Sequence, residues 1–156
     1  MNDIPLTKDK FTDTHVMLTN AYAGFAADDR GILIFNNELD MVAEGIKRFY
    51  VVKDFKPGTI RAWHEHTYER KWIIALTGSV LVGVVAPIVN EVLIRKVLTA
   101  GFPEMISVPR GCANGLMSLE PHTTVLIFSD RTIEESKTDD IRHPYDKWNI
   151  WNVENR

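Results

Sequence analysis

Short runs of β-branched and aromatic residues, each ended by a turn signal, constrain the fold of this chain more than any other feature. They are Gly31–Phe35, Ile46–Lys53, Lys71–Thr77, Ser79–Ala86, Val92–Leu98, Met105–Val108 and Thr123–Ser129. Between them stand Asp28-Asp29-Arg30-Gly31, Lys56-Pro57-Gly58, Thr77-Gly78, Ala100-Gly101-Phe102-Pro103 and Pro109-Arg110-Gly111. Such runs fit a pleated, half-buried surface, and Gly, Pro and Asp supply the dihedrals of tight turns. No stretch sustains an apolar period of 3.6, and the polar segment Thr132–Asp140 is the best candidate for a short helix. The expectation is an all-β sandwich or barrel. At 156 residues one core suffices, because a domain of this size buries roughly 70% of the surface its unfolded chain exposes. A single domain over residues 1–156 is expected.

Charge narrows the partners. Eighteen Lys and Arg against 21 Asp and Glu leave a net charge of -3, which argues against nucleic acid, whose binding is led by neutralising phosphates with a basic face. A local basic pocket for one anionic small molecule is still compatible with that balance. Cys112 is the single cysteine, so neither an intrachain disulfide nor a cysteine-based metal site is expected. The opening residues lack a basic region followed by an apolar one, and no apolar run approaches the ~20 residues that span a bilayer. The expected setting is cytoplasmic, without a membrane partner.

The chemistry is concentrated in Gly58, Arg61, Trp63, His64, Glu65, His66, Tyr68, Lys71, Trp72 and Gly78. The spacing is Gly, five residues, His, one residue, His, four residues, Lys, six residues, Gly, and it resembles the first signature of the cupin superfamily, which has Glu where Lys71 stands. Pro109-Arg110-Gly111-Cys112-Ala113-Asn114 resembles the second signature, Pro-x-Gly-x-x-His, with Asn114 in place of the histidine. Metal cupins take three imidazoles and a carboxylate from these positions. An ammonium at Lys71 repels a cation and a carboxamide at Asn114 is a poor ligand, so no metal site is expected. A metal-dependent cupin enzyme is kept as an alternative.

Two histidines at i and i+2 in a strand point to one side, so a single cavity receives both imidazoles. With an unperturbed pKa of ~6.5, histidine suits proton transfer near neutral pH. Lys71 on the same cavity favours the neutral imidazole and stabilises a developing enolate oxygen. His64, His66, Lys71 and Tyr68 are the candidate catalytic residues. Arg61, Arg110, Asn114 and Trp72 are the candidate substrate contacts. Strict alternation sends Arg61 to the face opposite His64, so its membership requires a bulge. His15, His122 and His143 lack a local companion and read as structural or exposed. Cys112 reads as a small packing residue, and Trp148 and Trp151 as packing for the terminus or a dimer partner.

The residues look like the metal-independent sugar-nucleotide cupins: the dTDP-4-dehydrorhamnose 3,5-epimerases and the dTDP-4-keto-6-deoxyhexose 3,4-ketoisomerases. Arg61-Ala62-Trp63-His64 is similar to the epimerase Arg-Gly-x-His, and His64-Glu65-His66 to the ketoisomerase His-Ala-His. Asp29 to Leu33, Arg48 to Val51, the Pro109 to Gly115 turn and the tail from Asp140 to Trp151 are similar as well, so the resemblance spans about residues 28–151. It implies a cupin-type double-stranded β-helix (jelly-roll barrel) with short helical or irregular termini, a homodimer, no cofactor, and a nucleotide-linked sugar as partner. It also implies proton abstraction next to a 4-keto group, with His64 as base, His66 or Tyr68 as acid and Lys71 at the enolate. The tyrosine that epimerases carry after the late strand is absent here, which favours a ketoisomerase or single-centre epimerase over a double epimerase. A noncatalytic sugar- or nucleotide-binding cupin is the alternative from another class.

Overall fold

The computed structural model describes residues 23–153, so His15 lies outside the described residues. Eleven strands and one short helix make up the described part: β1 (Gly24–Asp28), β2 (Gly31–Phe35), β3 (Arg48–Lys53), β4 (Ile60–His66), β5 (Lys71–Thr77), β6 (Ser79–Ala86), β7 (Glu91–Thr99), β8 (Met105–Val108), β9 (Cys112–Ser118), β10 (Thr124–Ser129), α1 (Ile133–Thr138) and β11 (Asp140–Arg142). Every pairing is antiparallel, in a four-stranded sheet of order β3-β10-β5-β8, a five-stranded sheet of order β11-β4-β9-β6-β7, and the β1-β2 hairpin. The all-β expectation is met. Strands β2, β5, β6 and β8 have the bounds read from the sequence.

Side-chain alternation sorts the strand residues onto faces. Ile73 and Ala75 of β5, Val125 and Ile127 of β10, Val82 and Val84 of β6, and Cys112 and Leu116 of β9 join one buried cluster between the two sheets. Cys112 is thus a packing residue, its thiol pushed up to about 12 by burial and by the nearby Glu65. The opposite face of β4-β9-β6 carries Trp63, Leu81, Ala113 and Met117, roofed by Trp148 and Trp151 from the tail. Trp151 lies 4.9 Å from Trp63 between ring centroids, and Trp148 meets it edge-on at 5.6 Å. Gly115 permits this roof: a Cβ there would lie 2.6 Å from Ala62 Cβ and 2.8 Å from the Trp151 ring. His143 is structural, its Nε2 2.6 Å from Glu65 Oε2, whereas His122 is exposed.

α1 begins where the sequence places it. Thr132 Oγ1 accepts from Glu135 N at 3.2 Å and Glu135 Oε2 accepts from Thr132 N at 2.7 Å, a reciprocal capping box. The Thr132 N–H first, and Lys47 next, hold the Glu135 carboxyl down to about 2. Thr132→Ala is expected to lower unfolding stability by about 1 kcal/mol in urea titrations. No change would show that contacts from other elements alone hold the helix. Among the described residues no helix is long and apolar enough to cross a membrane.

Candidate functional site

Two registered rows of side chains face each other at one end of the barrel. On the four-stranded sheet, Arg48, Ser129 and Lys71 are cross-strand neighbours. They share the inward face with Tyr50, Ile127 and Ile73 of the next inward row. On the five-stranded sheet, Arg142, His64, Asn114 and Val84 form one row, and Asp140, His66 and Cys112 another. Asn114 lies between inward Cys112 and Leu116, and period-two alternation therefore turns His64, His66 and Asn114 toward the same interior.

His64 Nδ1 is 3.0 Å from Asp140 Oδ1, and the imidazole is about one third exposed. If Nδ1–H donates to the carboxylate, Nε2 is left as the basic nitrogen. Burial first, then donors from Arg142 and His64, act on Asp140, and the net result holds its carboxyl below the ordinary range. His66 is buried, with Nδ1 3.0 Å from Glu69 Oε2, but the contact lies off the donor axis and Nδ1 has no hydrogen-bond partner. Burial, and then the charge of Lys71, lower the His66 pKa, favouring the neutral ring. The second unpartnered buried side-chain atom among the described residues is Asn114 Oδ1. Both orphaned atoms belong to inward-facing side chains of the five-stranded sheet, on adjacent strands.

Lys71 is buried with Nζ 3.8 Å from Glu69 Oε2. Burial lowers its pKa, and Glu69 is the leading group that opposes this. Arg61 reaches the inward face because the β4-β9 register shifts by one residue between Arg61 and His64, setting Arg61 opposite the inward Leu116. The required bulge is present.

Three candidates are placed elsewhere. Trp72 sits on the outer face of β5 with Ile74 and Met105, under the Arg70 guanidinium. It is the neighbour of Lys71 in sequence, and for that reason points the other way. Tyr68 is exposed and lines an open cavity of 310 Å³ with Arg131, Glu135, Thr138 and Asp139. Its backbone nitrogen donates to Asp139 and its carbonyl accepts from Arg110 and Arg131. Arg110 is also tied to the buried Asp130 carboxylate, so its guanidinium clamps the β4–β5 loop.

Three further residues reach the site without having been singled out as site residues from the sequence. Tyr50 belongs to the inward face of β3, and its hydroxyl is pushed up to about 12 by burial and then by Glu69, with Arg48 and Arg61 opposing. Its signal was the alternation of Arg48, Tyr50 and Val52 along one strand. Asp140 arrives through the β11-β4 pairing, 76 positions from His64, and Glu69 sits in a tight loop with no local pattern to mark it. Among the described residues no group of three or more His, Cys, Asp or Glu side chains is arranged to hold a metal ion.

Solved structures share this architecture. QdtA, a 3,4-ketoisomerase from Thermoanaerobacterium thermosaccharolyticum solved as a double mutant with TDP, superposes with a TM-score of 0.67 at 21% identity, over 83% of this chain and 88% of that one. The dTDP-4-dehydrorhamnose 3,5-epimerase of Bacillus anthracis gives 0.68 at 22% identity, over 86% and 84%. WlaRB, a TDP-quinovose 3,4-ketoisomerase from Campylobacter jejuni, gives 0.67 at 18% identity, over 83% and 95%. These likenesses establish the cupin-type jelly-roll fold. No match is found among curated proteins. The sequence matches the family described as "FdtA: WxcM-like, C-terminal" over residues 13–150, which takes in both signature boxes and the whole cavity. The chain therefore belongs to the FdtA, WxcM-like C-terminal family.

Proposed function

We propose that this chain is a sugar-nucleotide ketoisomerase or epimerase that abstracts a proton next to the 4-keto group of a nucleotide-linked deoxysugar, in the supply of polysaccharide precursors. The observation that carries the reading is the His64–Asp140 pair on the inward face of the five-stranded sheet, with Lys71 on the inward face of the sheet opposite. Membership in the family and the barrel shared with ketoisomerases and epimerases support it. QdtA crystallised with TDP supports a nucleotide-linked ligand.

The C4 carbonyl acidifies the C3 proton, and His64 Nε2 takes that proton. The C3–H electrons form a C3–C4 double bond while the carbonyl pair moves onto O4, where the Lys71 ammonium opposes the new charge. Protonating O4, removing the O3 proton and delivering a proton to C4 leaves a 3-keto sugar. Returning the proton to the opposite face of C3 inverts that centre. Protons and electron pairs balance within the substrate and its immediate acid–base partners, so neither route consumes an organic cofactor. Tyr50, protonated through the neutral range, and the neutral His66 are the groups able to relay the second proton. His66 is one of the two acids expected from the sequence, and Tyr50 takes the place of the other, Tyr68.

The test is incubation in D2O with the dTDP, UDP, GDP and CDP forms of a 4-keto-6-deoxyhexose, followed by NMR. A 3-keto product with deuterium at C4 identifies the ketoisomerase, and deuterium at an inverted C3 with the ketone retained at C4 identifies the epimerase. Calorimetric binding without exchange for all four nucleotides would refute catalysis. Activity that depends on stoichiometric iron, manganese or zinc would favour the metal-dependent alternative.

A further inference from the structure

Glu69 occupies the loop between β4 and β5, and its side chain is completely buried. A carboxylate in such a place must be compensated by hydrogen bonds and counter-charges. Its Oε1 accepts from Ser129 Oγ at 2.6 Å and from Arg48 Nη2 at 3.0 Å, and its Oε2 accepts from Ser136 Oγ at 2.8 Å. These donors come from β10, β3 and α1. The loop itself is fastened by Asp139, which accepts from Thr67 N at 3.0 Å and Tyr68 N at 2.8 Å, and by Asp130, which accepts from Arg70 N at 2.8 Å.

With its position thus fixed, Oε2 faces two groups of the proposed site, His66 Nδ1 at 3.0 Å and Lys71 Nζ at 3.8 Å. Neither is a hydrogen bond, so the carboxylate acts on both through its charge. Packing does not require this arrangement: buried ion clusters are commonly replaceable by apolar side chains of similar volume without loss of stability. An anion installed with three donors beneath a lysine and a histidine of one cavity calls for a functional reason.

We propose that Glu69 is a positioning residue for the isomerisation, a fixed buried counter-ion that keeps Lys71 cationic on the inward face of the barrel. The inference rests on the isomerase reading of the same site. Burial by itself would raise the Glu69 carboxyl, but Lys71, Ser129, His66 and Ser136 bring it below its ordinary value, so it is an anion throughout the neutral range. Burial works against the Lys71 ammonium; Glu69, Asp140 and Asp139 favour it, and Arg48 opposes it. Around His66, burial and Lys71 favour the neutral ring, while Glu69, Asp140 and Asp139 favour the cation.

The test combines NMR titration of the Lys71 ammonium and the His66 imidazole in the ligand-free full chain with pH profiles of kcat/KM. In Glu69→Gln the Lys71 midpoint is expected to fall by about one to two pH units, the effect of removing an opposite charge at this range. The alkaline limb of kcat/KM should move down with it. Above the lowered Lys71 midpoint we expect kcat to fall about tenfold or more with little change in KM, because the ammonium that faces the enolate oxygen is lost there, and Glu69→Asp should recover part of the loss. Lower activity with an unmoved Lys71 midpoint and an unmoved alkaline limb would mean a merely structural role and overturn the inference. Should Glu69→Gln not fold, Glu69→Asp, which keeps the charge but draws it back by one methylene, reads the same coupling: the Lys71 midpoint should fall by a smaller amount, and an unmoved midpoint overturns the inference. Wild-type protein that turns over no 4-keto sugar nucleotide while Lys71 still shifts in Glu69→Gln would overturn the isomerase reading alone, leaving the charge coupling established.

Discussion

His64→Asn is expected to lower deuterium exchange at C3 of the 4-keto sugar nucleotide by ~10²–10⁴-fold, the usual contribution of a positioned acid–base group, while nucleotide binding read by thermal shift is unchanged. The reason is geometric. With Nδ1–H donated to Asp140 at 3.0 Å, Nε2 is the basic atom, and an asparagine amide has no comparable basic nitrogen. Asp140→Asn should be nearly as damaging. A carboxamide offers an N–H to Nδ1, which drives the ring proton onto Nε2 and blocks the basic position. His66→Asn serves as the comparison, because His66 shares the face but lies deeper, against Glu69. Exchange that survives in His64→Asn and vanishes in His66→Asn would transfer the base to His66, and exchange that survives in both would remove the pair from the mechanism.

The second large effect is on stability. Trp63 has no exposed surface, packs edge-on against Trp148 and at a tilt against Trp151, and donates its indole N–H to Tyr145 O at 3.1 Å. Trp63→Ala should cost about 3–5 kcal/mol, a large part of the ~5–15 kcal/mol that holds a typical domain folded. The tail would come loose with it. Trp151 donates to the same Tyr145 carbonyl at 2.9 Å, and His143 N and O pair with the Trp63 backbone. Urea denaturation monitored by tryptophan fluorescence measures the cost, and a loss under about 1 kcal/mol would show that the roof can collapse onto the gap. Because β11 follows α1 and immediately precedes this tail, a partial loosening should also weaken the Asp140–His64 contact. Activity is then expected to decline in urea before the global transition.

Much of the fold was legible because local rules decided it. β5 and β6 are continuous apolar runs bounded by Lys71 and by Gly78, and Thr132 with Glu135 marks the start of α1. β9 was not legible as a strand: Cys-Ala-Asn-Gly-Leu-Met-Ser has no β-branched residue, and it is extended because β4 and β6 pair with it on both sides. β11, three residues long, exists only through its pairing with β4.

The site divides in the same way. His64 and His66 on one face follow from strand periodicity alone, and so does the exclusion of Trp72 once Lys71 is taken as inward. Arg61 depended on a one-residue register shift, which pairing with β9 creates and which no window of sequence displays. The sequence by itself determined an all-β chain with a histidine-bearing strand and a lysine where a metal ligand would stand, since alternation, turn chemistry and ligand charge are local properties. Only the tertiary structure decided that Asp140, Glu69 and Tyr50 join the site while Tyr68 and Arg110 stay on the loops outside it. Those placements are set by contacts between strands far apart in the chain, and by the need to compensate a carboxylate once folding has removed it from water.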